Sequence, residues 1–230
     1  MTTPQAQIAA HLQTTKSLSV SATWLNSFVS SAALQRNIPL SALTQTALFR
    51  ILASDFRDSL ATGNPSSLFP VDIFDPTVQE CRLQGPIPVQ VLDIEDIGTS
   101  LWSQVEAIER VERGEAIRGR EIVRTEDGAS GANDTGNASN GPHRLILQDA
   151  AGTRAVGIEL ARVDGVALNK LPIGAKMVLR NATVGRGMIL LTPECTTVLG
   201  GKIEGMDQAW KEGRKDRLLA RIAGTGEGQT

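Results

Sequence analysis

The sequence predicts an α+β protein: an N-terminal three-helix bundle, then a five-stranded β-barrel with a long insertion between its first two strands and a C-terminal helix. Three observations carry this prediction. Apolar residues recur at helical spacing through residues 1–60. From Ile87 onward, short runs alternate apolar and polar side chains and are bounded by glycine-rich turns. Between the strand-like runs Ile87–Ile94 and Arg144–Leu147, the polar stretch Gly114–Pro142 supplies no core. A long loop inside a compact domain is functional or disordered, and loops on rigid scaffolds carry function. The insertion is therefore read as the working part.

Ile8, Ala9 and Leu12 mark a short first helix. Trp24, Leu25, Phe28 and Val29 lie on one face of a second, with Ser19 and Ser21 as caps ahead of it. Pro39 suits a first turn, where its missing N–H costs nothing. Leu40, Leu43, Ala47, Leu48, Ile51 and Leu52 then form a third stripe. A bundle of about 60 residues is marginal alone and is expected to dock on the remainder of the chain. Thr62–Pro88 contains Pro65, Pro70, Pro76, Pro86 and Pro88 and reads as an irregular connector, not a helix or central strand.

Ile87–Ile94 is the first barrel strand, and Gly98-Thr99-Ser100 precedes a helix carrying Leu101, Val105 and Ile108. After the insertion, Arg144–Gln148 is a strand, Asp149–Gly152 its turn and Thr153–Leu160 the return. Ala175–Val184 is the longest strand, with Met177 and Leu179 alternating against Lys176 and Arg180. Gly185-Arg186-Gly187 turns into Met188–Leu191, and Thr196–Leu199 comes next. Ile203, Met206 and Trp210 start a terminal helix, which Gly213 interrupts and Leu218, Leu219 and Ile222 continue. Strands of these lengths beside a helix fit an OB-fold, with an SH3-like barrel as the nearest competitor. The expected domains are a bundle over 1–60, a connector over 61–86, the OB-fold over 87–223 with its insertion at about 109–142, and a flexible tail over 224–230.

Composition excludes several classes. The 230 residues are 41% hydrophobic and 21% charged with a formal net charge of −2, so the chain as a whole is not a basic nucleic-acid binder. No apolar run approaches the roughly 20 residues that span a bilayer, and Met1–Lys16 lacks the pattern of a signal peptide. The two cysteines, Cys81 and Cys195, then read as free thiols, and a cytosolic or nuclear location fits. The two histidines, His11 and His143, show no spacing of a catalytic triad or zinc site, so neither an enzyme nor a metal or other cofactor is expected.

Other features invite functional readings with plainer competitors. Asp93, Glu95 and Asp96 resemble metal ligands but read better as a solvated strand end running into a helix cap. Gly185-Arg186-Gly187 lacks the strand–loop–helix setting of a phosphate loop. Trp102, beside Leu101 and Val105, reads as packed core. Single-strand binding by a barrel needs stacked aromatics in a basic groove, yet only Trp102 and Trp210 come after Phe74. Residues 143–201 hold seven Lys and Arg against four acids, which allows weak phosphate contact through Lys176, Arg180 and Arg186.

Several segments together resemble one family. Leu83-Gln84-Gly85 followed by Val91-Leu92-Asp93-Ile94-Glu95-Asp96-Ile97-Gly98-Thr99-Ser100 is similar to the first-strand segment of RecQ-mediated genome instability protein 1. Leu190-Leu191-Thr192-Pro193-Glu194 and Val198-Leu199-Gly200-Gly201-Lys202-Ile203-Glu204 resemble its end-of-barrel signature. Trp24-Leu25 and Gln45-Thr46-Ala47-Leu48-Phe49 resemble its helical region, so the likeness covers most of residues 20–210. The length resembles the short, fungal-type form.

This resemblance implies a non-catalytic nuclear subunit that binds topoisomerase III through an OB-fold. With a RecQ-type helicase it would serve double Holliday junction dissolution, touching DNA weakly or through the complex. The chain has no Tyr, so it cannot supply a tyrosine nucleophile. The resemblance also implies that the insertion tunes the topoisomerase gate. Within it, Val111, Ile117, Ile122 and Val123 are the apolar residues suited to anchoring a partner. Arg113, Arg118, Arg120 and Arg124 are suited to bidentate contacts with carboxylate or phosphate. Asp127–Gly141 is rich in Gly, Asn, Ser and Ala and reads as a flexible tether. The alternative is a stand-alone single-stranded nucleic-acid-binding OB module.

Overall fold

The structure is a computed structural model that describes residues 3–32, 39–114 and 141–226. Four helices come first: α1 (Pro4–Lys16), α2 (Ala22–Ala32), α3 (Leu40–Ala53) and the single turn α4 (Phe56–Ser59). Thr3 caps α1 by accepting from the Ala6 N–H, and Asp55 caps α4 by accepting from the Arg57 N–H. Pro39 stands at the cap of α3, one residue ahead of its first turn. The expected stripes converge on one core of Ile8, Leu12, Leu25, Phe28, Ala47, Ile51 and Phe56.

The sheet comprises β1 (Glu80–Leu83), β2 (Ile87–Asp96), β3 (His143–Asp149), β4 (Arg154–Glu159), β5 (Lys176–Leu179), β6 (Ala182–Gly185), β7 (Met188–Leu191) and β8 (Thr196–Gly200). Its order is β1-β6-β7-β4-β3-β2-β5-β8. The segments β1 and β2 are two halves of one bent strand, and β5 and β6 are two halves of another. The first bent strand pairs antiparallel with the second along both halves. That closes the sheet on itself. The β4–β7 pair is parallel and its neighbours are antiparallel. Counted by bent strands, this is the five-stranded OB-fold that the sequence predicts, with β8 added beside β5.

Two expectations change in detail. The connector holds a strand, β1, which pairs only with β6 and so sits at an edge, between the prolines. The single run Ala175–Val184 bends at Arg180–Asn181, where Asn181 takes a left-handed φ of 50°. The bend in the partner strand falls at Gly85 (φ 67°), where a Cβ would run into the Leu179 carbonyl oxygen.

Helix α5 (Leu101–Glu112) leaves β2, while α6 (Glu204–Glu212) and α7 (Arg214–Gly226) come after the sheet with Gly213 between them. The C-terminal helix expected from the sequence is thus two helices. α7 lies along α5, with Lys215 paired to Glu112 and Glu109. Arg221 pairs with Glu95 on β2. The barrel core is Val89, Val91, Leu145, Leu147, Met177, Leu179, Ile189 and Leu191, joined by Phe69 and Ile73 from the connector. The buried Asp149 carboxylate fixes that connector by accepting from the Phe69 and Thr153 N–H groups, each at 2.8 Å.

The two cores meet at a buried polar node. Gln90 Oε1 accepts from the Phe56 N–H and from Lys176 Nζ, each at 3.0 Å. Gln90 Nε2 donates to Asp55 Oδ1 (2.9 Å) and Gln148 Oε1 (3.1 Å). Lys176 is 0% exposed, with its ammonium 4.8 Å from the Phe56 ring centroid. Burial pushes its pKa down to about 8, with the Asp55 charge opposing the shift.

This depressed pKa makes stability depend on pH. Below about pH 8 the lysine is charged in both folded and unfolded chains, and the full burial cost is present. Between about 8 and 10.5 the folded chain releases the proton that the unfolded chain keeps, so stability rises with pH. We predict that Lys176→Met raises stability by about 1–3 kcal/mol near neutral pH, because Gln90 Oε1 keeps the Phe56 N–H. Gln90→Leu, which strands both donors, lowers it by about 2–4 kcal/mol. Urea midpoints from about pH 7 to about pH 10 check both: the parent gains across that interval, and the Met variant does not gain from this site.

Candidate docking face

The insertion emerges after α5 and returns at β3, and the first barrel turn brings its base together. Asp96, at the end of β2, accepts from the Gly98 and Thr99 N–H groups through Oδ1. Ser100 caps α5 by accepting from the Ser103 N–H, and Gln104 Nε2 donates to the Asp96 and Thr99 carbonyls. On the returning side, the Ile97 N–H donates to the Pro142 carbonyl at 3.0 Å. Gly98 and Gly141 touch backbone to backbone, so closely that a Cβ on Gly98 would stand 2.7 Å from the Gly141 Cα. His143 then locks the first residue of β3. Its N–H and Nδ1 meet Glu159 Oε2 at 3.1 and 2.6 Å, and Glu159 Oε1 accepts from the Val163 N–H. Both side chains are buried.

Beside this base stands an apolar surface. The register aligns Leu190, Ile158 and Arg144 in one row across β7, β4 and β3, and Met188, Val156 and Ile146 in the next. Their strand neighbours Leu145, Leu147, Ala155, Ile189 and Leu191 are buried in the barrel core. Side chains alternate along a strand, so Ile146, Val156, Ile158, Met188 and Leu190 stand on the outer face, half-buried or exposed. Leu160, two residues beyond Ile158 and 67% exposed, carries the face to Pro142 and His143, with which it lines a pocket. Ordinary antiparallel sheets turn polar side chains to water. A contiguous aliphatic outer face marks an interaction surface. No aromatic ring stands in these two rows.

The residues singled out in the sequence fall differently. Val111 is exposed near the end of α5, and Arg113 is the residue that ends that helix. Ile117, Arg118, Arg120, Ile122, Val123 and Arg124 lie outside the described residues. Lys176 is no surface cation: β5 is covered on both faces, so its ammonium sits in the interior and cannot reach a phosphate. Arg180 is half-buried and donates to Ser17 Oγ at 2.7 Å, tying the barrel to α1. Only Arg186, at the β6–β7 turn, is exposed among the three, and it donates to the Pro76 carbonyl. Trp102 is not core either. It is 65% exposed on the outer side of α5, whose inner side is made by Gln104 and Val105.

The aliphatic face escapes a reading of the sequence alone. Its only signal is that Leu145–Leu147 and Met188–Leu191 are apolar at consecutive positions rather than alternate ones. Among the described residues, no group of three His, Cys, Asp or Glu is placed to hold a metal, and no helix is long and apolar enough to cross a membrane.

Known proteins share this architecture in sequence. Residues 69–214 match the family model described as RMI1, N-terminal OB-fold domain, and residues 12–59 match RMI1, N-terminal helical domain. The chain is 26% identical over 216 residues to RecQ-mediated genome instability protein 1 of Schizosaccharomyces pombe, covering 87% of this chain and 88% of that one. It is 26% identical over 185 residues to the Mus musculus protein of the same name, covering 79% of this chain but 27% of the mouse protein.

At the base of the insertion, Gly98→Val forces the two backbones apart and is expected to cost about 1–3 kcal/mol, read as a lower denaturant midpoint. An equal substitution at exposed Gly63, which meets nothing within 4 Å, is expected to be far milder.

Proposed function

Because the chain belongs to the RMI1 N-terminal domain family, we propose that it is a non-catalytic nuclear subunit serving genome stability with a RecQ helicase and topoisomerase III. In this reading the barrel docks on topoisomerase III through its aliphatic face. The insertion at its edge then acts on the DNA gate, promoting decatenation and double Holliday junction dissolution. The observation that carries the reading is the outer face of Ile146, Val156, Ile158, Met188 and Leu190 beside the insertion's base. Aliphatic side chains cannot stack bases, but they gain roughly 1 kcal/mol or more each when a protein surface removes them from water. A partner held there places the insertion at a fixed point on the same partner. Differential contact with two states of a gate is then enough to shift their balance.

We predict that Ile158→Asp with Leu190→Asp weakens binding to topoisomerase III at least about tenfold at a modest cost to the unfolding midpoint, since the two carboxylates stand opposite each other on paired strands. Both side chains already face solvent in part. Val91→Asp, at a fully buried core position, is the contrasting variant and should not fold. Co-purification and titration with topoisomerase III read the outcome, and undiminished binding by the double variant overturns the docking face.

Replacing residues 115–140 by a Gly/Ser link of about ten residues should preserve the fold and the docking but remove stimulation of decatenation. The base contacts at Ile97, Gly98, Gly141 and His143 all remain. Full stimulation by this variant would refute the role of the insertion.

A further inference from the structure

A second surface lies where the helical unit, the barrel and the C-terminal helices meet. A groove of about 480 Å³ takes one arginine from each: Arg57 from α4, Arg154 from β4 and Arg217 from α7. Leu92, Ile146 and Met206 supply its apolar lining. Three units separated in sequence thus bring cations and aliphatic carbon to one cleft.

The charges are unequally satisfied. Arg57 is held by Asp55 at 2.7 Å. Arg217 donates to the Trp210 carbonyl at 2.7 Å and meets no carboxylate within ion-pair distance among the described residues. The exposed Arg154 side chain has no hydrogen bond or ion pair among the described residues. The two acids lining the groove are already engaged. Asp55 serves Arg57 and Gln90, and Asp93 accepts from the Trp210 indole N–H (2.6 Å) and the Ile94 N–H (2.9 Å). Both Asp93 donors are neutral, so its charge remains; the three guanidinium groups still exceed the two carboxylates by one, and Arg154 and Arg217 are in no ion pair among the described residues.

We propose that this groove binds an acidic extended segment of a partner protein. Its carboxylates would pair with Arg154 and Arg217, and an aliphatic side chain would rest on Leu92, Ile146 and Met206. Charge complementarity and the apolar lining select this occupant. A nucleic-acid strand fits less well, because it needs an open ring on which bases stack. The single aromatic ring here, Trp210, already has the Arg214 and Arg217 guanidiniums 5.6 and 5.7 Å from its centroid. The groove shares Ile146 with the aliphatic face, whose residues Ile158 and Leu190 do not line it.

The test uses the full chain and a fluorescein-labelled peptide of about ten residues carrying Glu and Asp around two Leu. A counterpart with Gln and Asn for the acids and a labelled oligo(dT) of similar length accompany it. Anisotropy should show saturable binding of the acidic peptide that weakens as NaCl rises from about 50 to about 300 mM. Arg154→Glu should weaken it about tenfold or more, and Arg217→Gln should weaken it as well. Ile158→Asp with Leu190→Asp should leave it unchanged. Unfolding midpoints establish that each variant is folded. Absence of saturable binding, equal binding of the uncharged peptide, or indifference to Arg154→Glu overturns the proposal. Binding of oligo(dT) that Arg154→Glu abolishes would also overturn it, by making the groove a nucleic-acid site.

Discussion

The side-chain amide of Gln90 sets the arrangement of everything around it. Three barrel strands send polar groups, Gln90, Gln148 and Lys176, into a seam sealed from water. Such groups must be paired there or cost several kcal/mol. The first turn of α4 brings what they need: the Phe56 N–H, the Asp55 carboxylate and the Phe56 ring. A helix N-terminus has free N–H groups by construction, so one of its orphan donors and the strands' surplus acceptor satisfy each other. Once α4 is seated, the rest of the helical unit is placed with it, and Ala150 and Leu199 of the sheet region join its core.

That seating divides the outside of the barrel. The β5 side disappears under helices, and Arg180 reaches Ser17 across the same junction. The β2 side is closed by the C-terminal helices, through Trp210 on Asp93 and Arg221 on Glu95. The outer surface of β3, β4 and β7 is left open. The same seating sets Arg57 at the edge of the three-way groove. The docking face, the groove and the insertion's base are therefore held by one frame rather than by three independent loops.

Much of this frame is legible in the sequence. Helical stripes such as Ile8–Leu12 and Ala47–Ile51 have one side to bury, and periodicity reports that directly. The strands around Val91, Leu147 and Leu191 are found for the same reason. Lys176 is misplaced because alternation with Met177 and Leu179 assumes one wet face, and β5 has none. The faces of β4 and β7 stay hidden for a related reason. When residues of both parities are apolar, no period says which set is inside, and only the register that stacks Ile158 on Leu190 reveals a surface. Trp102 misleads because its helix has Leu101 and Val105 near the barrel, and a tryptophan next to them looks like part of the same stripe.

The node also explains why a charge is kept where carbon would be more stable. Dispersion and burial tolerate a helix sliding by part of a turn, since aliphatic contacts are non-directional. An ammonium does not. Shifting α4 by one residue would remove the Phe56 ring from Lys176 and its N–H from Gln90, leaving a buried cation with half its partners, at a cost of several kcal/mol. Wrong dockings of the helical unit are thus penalised more heavily than the right one is rewarded. The arginine groove lies across the joints between the parts and needs that kind of bias, because an error at the seam would move Arg57 away from Arg154 and Arg217 while both cores stayed well packed.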